Sequence, residues 1–154
     1  MKKRILFGIV FFVIGFGTAI FAHSSFRHLI QDLFQWTTSN RIQFEGKDFY
    51  LFGKPIYFTN FGLVFFIFSV ANRKLETIKI VRNGILIILV FGIALIGVSA
   101  LGANLKIIEC TACDDGIRRL GYNEINYGLI LTTSALISII PSLITIIKSL
   151  KKRV

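Results

Sequence analysis

Cys110 and Cys113 are the two cysteines of this chain, and they form a C-x-x-C motif flanked by acidic residues. Glu109 stands before the motif, and Asp114 and Asp115 follow it. Three kinds of chemistry use a pair of thiols at this spacing: a local disulfide bond, thiol–disulfide exchange with a partner, and coordination of a divalent metal. A lone C-x-x-C does not distinguish among them, so the surrounding residues must be considered.

The flanking charges and the shortage of further ligands favour the disulfide. A reactive thiolate needs a nearby cation or a helix N-terminus, whereas the acidic neighbours oppose a negative sulfur. A structural zinc site normally has four ligands at recognisable spacing, and here only a carboxylate or His28 could complete one. We predict a disulfide between Cys110 and Cys113 and no metal site. Redox exchange stays as the alternative, because so short a loop stabilises a fold by only roughly 2 kcal/mol.

His28 and Asp32 are a second candidate pair. They stand four residues apart and therefore on one face of a helix. A histidine oriented by an aspartate is the arrangement of a general base, but the solvated polar face of an amphipathic helix has the same pattern. We treat both residues as polar candidates at the outer face, together with the acids around the cysteines, and predict no catalytic residue.

Four apolar runs determine where these residues stand. Hydrophobic residues make up 54% of the chain and the mean hydropathy is +0.71, well above the values of a soluble domain. Residues 5–22, 56–71, 84–103 and 127–147 contain no Lys, Arg, Asp or Glu, and three of the runs match the roughly 20 residues that cross about 30 Å of hydrocarbon. We predict an all-α integral membrane protein, a single domain over residues 1–154 built as a four-transmembrane-helix bundle.

The distribution of charge sets the predicted orientation. The chain carries 18 basic and 8 acidic residues, a net charge of +10. The termini and loop 72–83 hold eleven basic residues against one acid, whereas loops 23–55 and 104–126 hold seven of each. By the positive-inside rule, both termini are cytoplasmic and the two balanced loops face outward from the plasma membrane. The excess charge then lies against the anionic inner leaflet, so nucleic acid is not expected as a partner.

The first outer loop contains two predicted elements. Over residues 26–34, apolar side chains recur at helical spacing, and polar ones such as Arg27 and Gln31 lie between them, which predicts a short amphipathic helix. Apolar and polar residues alternate over 42–44, and a turn signal follows at 45–48. This pattern predicts a small β-hairpin within the same loop.

Small residues recur along two of the spans: Gly8, Gly15 and Ala19 in the first, and Gly128, Thr132 and Ala135 in the fourth. Such stripes let helices approach closely in lipid, so we predict that spans one and four pack together. The phenylalanines of span two are expected as bulky knobs or as a lipid-facing surface. Asn60 is expected to cap or bridge helices, and Pro141 to cause a local bend.

The layout resembles two classes of four-span protein. With a C-x-x-C on the outer side, it looks like the quinone-linked disulfide-forming membrane proteins and the vitamin K epoxide reductases. In those families a second cysteine pair relays electrons, so the resemblance implies a redox role for Cys110 and Cys113, but this sequence has no second pair. With a β-bearing first outer loop, it is also similar to claudin-like proteins, whose tryptophan and paired-cysteine signature is missing here.

The uncharged spans exclude several functions. Proton relays and ion pathways need ionisable groups inside the bilayer, and intramembrane haem needs ligands from facing helices. We therefore expect no cofactor, and we predict a non-enzymatic accessory or assembly subunit, embedded in the lipid bilayer, that binds a protein partner or a second copy of itself through its outer loops. The alternative is a membrane thiol–disulfide oxidoreductase that uses Cys110 and Cys113 with a partner protein or a quinone.

Overall fold

The computed structural model of this chain describes residues 2–46, 56–73, 75–109 and 116–151. The helices and strands follow in the order α1 (Lys2–Phe21), α2 (His23–Thr37), β1 (Ile42–Glu45), α3 (Ile56–Asn72), α4 (Thr77–Ile108), β2 (Arg118–Gly121), a 3-10 turn (Tyr122–Glu124), α5 (Tyr127–Ser138) and α6 (Ile140–Lys151). Each of the four apolar runs is helical, so the prediction of a mostly helical chain is confirmed.

Among the described residues, two helical segments are long and apolar enough to cross a membrane, namely α4 and Tyr127–Ile144. A third candidate is the pair formed by α1 and α2, which are bent by 59° at Ala22. The fourth run, α3, is a shorter apolar helix. Most of the apolar surface of α4 is exposed on the protein, as it is on a helix that faces lipid. These segments give the chain the character of a membrane protein.

The first and third helices form an antiparallel pair in which glycines face phenylalanines. A Cβ added at Gly8 would lie 2.5 Å from the ring of Phe66, and one added at Gly15 would lie 2.8 Å from the carbonyl oxygen of Phe61. Gly62 meets the ring of Phe12 in the same way. The small residues of span one therefore receive the bulky residues of span two. This arrangement differs from the expected pairing with span four, because α1 packs mainly along α3.

The last two helices pack against α3 and α4. The buried face of α5 is formed by Ile130, Leu131, Ser134 and Ala135. The helix is interrupted at Ile139, whose carbonyl accepts hydrogen bonds from both Ser142 and Leu143. Proline has no backbone N–H to continue the ladder of helical hydrogen bonds, so the break falls just before Pro141. The helix is thus interrupted where Pro141 was expected to disturb it, and the predicted bend itself stays a prediction.

Two strands lie at one end of the bundle, and we call this end, with α2, β1, β2 and residues 122–126, the loop end. β1 pairs with β2 in parallel, in the register Ile42↔Arg118 to Glu45↔Gly121. The hairpin predicted within the first loop differs from this pairing, because the described partner of β1 comes from the second loop. The return strand of that hairpin falls at residues 47–55, outside the described residues.

The opposite end holds the start of α1, the connection from α3 to α4 and the last turn of α6, and we call it the basic end. Buried core residues concentrate toward the loop end: the core includes Ala19, Ile30, Phe34, Ile42, Leu120 and Tyr127. By contrast, the apolar side chains along the first half of α1 are largely exposed. The bundle is therefore tightly packed around the loop end and open to its surroundings toward the basic end.

Candidate interaction site at the loop end

The β1–β2 sheet presents one apolar face and one polar face. Ile42 and Leu120 are fully buried beneath it. Gln43, Glu45 and Arg119 point the other way and are exposed, because side chains alternate across a strand. An ion pair of 3.2 Å joins the Glu45 carboxylate and the Arg119 guanidinium across the two strands. The outward face therefore offers an amide, a carboxylate and a guanidinium in a fixed arrangement.

A tight turn connects α2 to β1. Ser39 and Asn40 both have positive φ angles, 51° and 60°, in the left-handed region that asparagine tolerates better than most residues. The Asn40 backbone N–H donates to the Gln35 carbonyl oxygen at 2.8 Å. The buried Thr38 hydroxyl donates to the Phe34 carbonyl oxygen at 2.7 Å. These bonds end α2 and fix the direction in which β1 leaves it.

Tyr127 joins the loop end to the helices below. Its hydroxyl donates to the Tyr122 carbonyl oxygen at 2.9 Å and accepts from Gln31 Nε2 at 3.0 Å. The Arg27 guanidinium lies over the Tyr127 ring, 4.5 Å from its centroid, a cation–π distance. One side chain at the start of α5 thus binds the second loop and two positions of α2. We call Arg27, Gln31, Tyr122 and Tyr127 the Tyr127 cluster.

The polar face of α2 points inward. His23, Arg27 and Gln31 follow one another every four residues, and all three are buried, with Arg27 only 8% exposed. The His23 ring stacks on Tyr57 with centroids 5.4 Å apart and meets the edge of Phe58. The predicted helix is confirmed, but its polar residues Arg27 and Gln31 are buried against Tyr127.

The inward turn of this polar face has a physical reason. Tyr127 supplies the hydroxyl that Gln31 bonds and the ring that Arg27 covers, so both side chains gain partners that water would otherwise provide, while the ring of Tyr57 stacks on His23. Two features of the sequence could have indicated this contact. His23, Arg27 and Gln31 recur every four residues, and a tyrosine stands at the start of each of two later helices, Tyr57 in α3 and Tyr127 in α5.

His28 and Asp32 are exposed on α2, on the side that bears Leu29 and Trp36. Leu29 is 44% and Trp36 is 70% exposed. The two polar candidates therefore lie next to an apolar strip that faces the surroundings of the protein. Their role as polar candidates at the outer face stays a prediction.

Of the acids and cysteines singled out in the second loop, the structure describes only Glu109. Glu109 ends α4, where its exposed carboxylate pairs with Lys106 Nζ at 3.1 Å. Cys110, Cys113, Asp114 and Asp115 lie outside the described residues, so the disulfide and the redox alternative stay predictions. Within the part of the chain that the structure describes, histidine, cysteine and acidic side chains form no group of three that could hold a metal ion.

The small residues predicted to pack helices stand in different surroundings. Besides Gly8 and Gly15 against α3, Ala19 and Ala135 are buried in the core. Thr132 accepts a hydrogen bond of 3.2 Å from Asn60 Nδ2, which links α3 to α5. The expected bridging role of Asn60 is confirmed. A Cβ at Gly128 would make ordinary contacts, 3.8 Å from Asn126 Oδ1 and 4.0 Å from Tyr57.

The chain matches no protein-family model, no curated protein sequence and no solved structure at a significant level. The loop end must therefore be interpreted from its own chemistry. The buried polar groups of the Tyr127 cluster bond one another. The exposed face of the sheet carries groups suited to hydrogen bonding and ion pairing. This arrangement is suited to recognition of another surface.

Proposed function

We propose that this chain is a four-span protein of the plasma membrane with both termini in the cytoplasm. The proposal is supported by the basic residues at the start of α1, between α3 and α4 and at the end of α6 and beyond it, because a basic end is favoured against the anionic inner leaflet. The loop end then faces outward. There the predicted bond between Cys110 and Cys113 would meet an oxidising compartment.

We propose further that the chain is a non-enzymatic accessory or assembly subunit that binds a partner protein through the loop end. The Tyr127 cluster is the observation that carries this proposal. A loop that served only to connect spans would not need two hydrogen bonds and a cation–π contact to a buried tyrosine. Ordering these groups before binding lowers the entropic cost of association.

The outward face of the β1–β2 sheet is the proposed contact surface. Arginine and tryptophan are the residue types enriched where binding energy concentrates, and Arg119 and Trp36 are both exposed at this end. The Glu45–Arg119 pair presents both charges side by side. Such a pair gives a partner orientation more than it gives raw affinity.

A charge-reversal pair tests the proposal. Glu45→Lys disrupts the ion pair at the loop end, and Glu76→Lys disrupts its counterpart at the basic end, where Glu76 pairs with Lys79 at 3.0 Å. We expect purification in mild detergent to recover a stoichiometric companion with the wild type and with Glu76→Lys. Recovery should fall at least about tenfold with Glu45→Lys, since close charge pairs at interfaces are worth about 1.5 kcal/mol or more.

Site-specific crosslinking shows whether the companion touches the proposed surface. A photoreactive residue at position 43 should crosslink to the companion, whereas one at position 79 should not. A crosslinked product of twice the chain mass would identify the partner as a second copy. Equal crosslinking from both positions, or a wild-type chain that is monomeric and without a companion, would rule out this function.

A further inference from the structure

A cavity of about 300 Å³ opens at the basic end between α1, α3 and α4. Its walls are mainly apolar: Phe7 and Phe11 come from α1, Phe68 from α3 and Ile80 from α4. Phe7 and Phe11 are one helical turn apart with ring centroids separated by 4.9 Å. The apolar walls therefore run along the axis of α1, from the end of the bundle toward its middle.

The rim of this cavity is polar. Two of its side chains form hydrogen bonds within the protein, and the third is a cation. The Ser69 hydroxyl donates to the Phe66 carbonyl oxygen at 2.8 Å. Asn72 donates to the Phe68 carbonyl oxygen at 2.8 Å and accepts from Asn83 at 2.5 Å. Arg73 is exposed, and within the described residues no carboxylate lies at ion-pairing distance from it. The rim thus holds one cation whose charge is not balanced by a described neighbour.

We propose that this cavity binds an anionic phospholipid, with one acyl chain between Phe7, Phe11 and Phe68 and the headgroup phosphate on Arg73. The volume has room for about ten groups the size of a water molecule, at roughly 30 Å³ each, which accommodates the upper part of one chain. A guanidinium matches phosphate in charge and in hydrogen-bonding geometry. Basic pockets between membrane helices are known to hold such headgroups.

The surroundings of the opening favour a lipid over a water-soluble ligand. Phe7 is 49% exposed, and Leu6 and Val10 beside it are exposed as well. A ligand that enters past these side chains passes through an apolar boundary and meets its charged partner only at the rim. A lipid matches this arrangement, because its acyl chain is apolar where the cavity walls are apolar and its headgroup is anionic where Arg73 stands at the rim. This inference rests on the membrane location of the helices and not on the partner proposed for the loop end.

Spin-labelled lipids test the site in bilayers of phosphatidylcholine that contain the full chain. We expect the immobilised fraction to be larger for labelled phosphatidylglycerol than for labelled phosphatidylcholine. One basic residue near the surface contributes about a fivefold preference for anionic lipid, so Arg73→Gln should lower the preference about fivefold. Arg82→Gln is the matched control, because Arg82 is exposed on α4 at the same end but does not line the cavity.

A second variant tests the acyl-chain part of the site. Ile80→Trp fills the cavity and should remove the immobilised component for phosphatidylglycerol even though Arg73 is retained. Inorganic phosphate added in excess should not displace the lipid, because it cannot replace the chain contacts. The proposal is overturned if the wild type shows no anionic preference, if Arg73→Gln and Arg82→Gln behave alike, or if filling the cavity changes nothing. Arg73 is exposed, so its variant keeps the fold and decides the outcome even where Ile80→Trp does not fold.

Discussion

Two regions of this bundle are held together by different interactions. Along α1 and α3, glycines accept phenylalanine rings, as where Gly8 meets Phe66 and Gly15 meets Phe65. At the loop end, α2 meets α5 through one hydrogen bond and a cation–π contact to Tyr127, whose hydroxyl also bonds the Tyr122 carbonyl. The first contact depends on shape, and the second depends on pairing polar groups.

This difference reflects the surroundings of each region. Apolar helices in lipid gain no hydrophobic driving force by associating, so the close approach of small and large residues supplies the stabilising contact. At the loop end the chain carries polar side chains and turns whose donors and acceptors must be satisfied when they are buried. A shape contact should therefore be sensitive to added volume, and a polar cluster should be sensitive to the loss of one oxygen.

Added volume at Gly15 should have the largest effect. Gly15→Leu places a Cβ 2.8 Å from the carbonyl oxygen of Phe61, and backbone atoms cannot move aside as a side chain can. We expect the free energy of unfolding to fall by about 3 kcal/mol, measured by denaturant titration in mixed micelles. Gly17→Leu is the control, because nothing lies within 4 Å of a Cβ built there. Equal effects of both variants would show that α1 and α3 are not in close contact.

Loss of one oxygen at Tyr127 should have the next largest effect. Tyr127→Phe keeps the ring beneath Arg27 but removes the bonds to Gln31 and to the Tyr122 carbonyl. Two hydrogen bonds of about 1 kcal/mol each, one buried and one partly buried, predict a loss of about 2 kcal/mol. Hydrogen exchange of residues 118–125 should accelerate, because that segment loses its attachment to α5.

The matched control for this change is Tyr122→Phe. Tyr122 takes part in the cluster through its backbone carbonyl, while its ring stacks on Phe44 with centroids 5.2 Å apart. Removing its hydroxyl leaves both contacts in place, so exchange over 118–125 should remain at the wild-type rate. If the Tyr122 and Tyr127 variants exchange equally fast, the Tyr127 hydroxyl does not hold the loop end in place.

The helices could be predicted from the sequence, because a helix that crosses a membrane must be a continuous run of apolar residues of sufficient length and without charged side chains. The four runs gave helices close to their predicted bounds, although α4 extends past its run at both ends. The partner of each helix could not be predicted. The glycines of span one could pack equally well against the phenylalanines of α3 or against the small residues of span four. Composition alone does not show which of these two helices is the partner.

The loop end was predicted less well for two further reasons. β1 was recognised as a strand, but its partner β2 begins more than seventy residues later, and alternation within one strand carries no information about so distant a neighbour. For α2, the apolar spacing identified the helix and its buried Ile30 and Phe34. It could not show that Arg27 and Gln31 beside them meet a tyrosine from α5.

A single polar bond placed within the apolar region should have an intermediate effect. Asn60 donates to Thr132 and thereby ties α3 to α5. Asn60→Leu should lower the free energy of unfolding by about 0.6–1 kcal/mol, the usual worth of a hydrogen bond between membrane helices. The effect is limited because a threonine hydroxyl can return to its own helix backbone. Asn104→Leu should cost less, since the Asn104 amide bonds the Ala100 carbonyl within α4, and a larger loss from Asn104 would contradict the bridging role.

The smallest expected effect concerns the exposed pair of Glu45 and Arg119. Both side chains are more than half exposed, so Glu45→Gln should cost at most about 0.5 kcal/mol, and 1 M salt should abolish the difference from the wild type. The pair nevertheless joins two loops that are distant in sequence, whereas Glu76 and Lys79 join one turn of a helix. Hydrogen exchange should therefore accelerate locally over 42–45 and 118–121 with Glu45→Gln and remain unchanged there with Glu76→Gln. A salt-independent change, or one that spreads to α3, would mean that the sheet is held by Glu45 through something other than its charge.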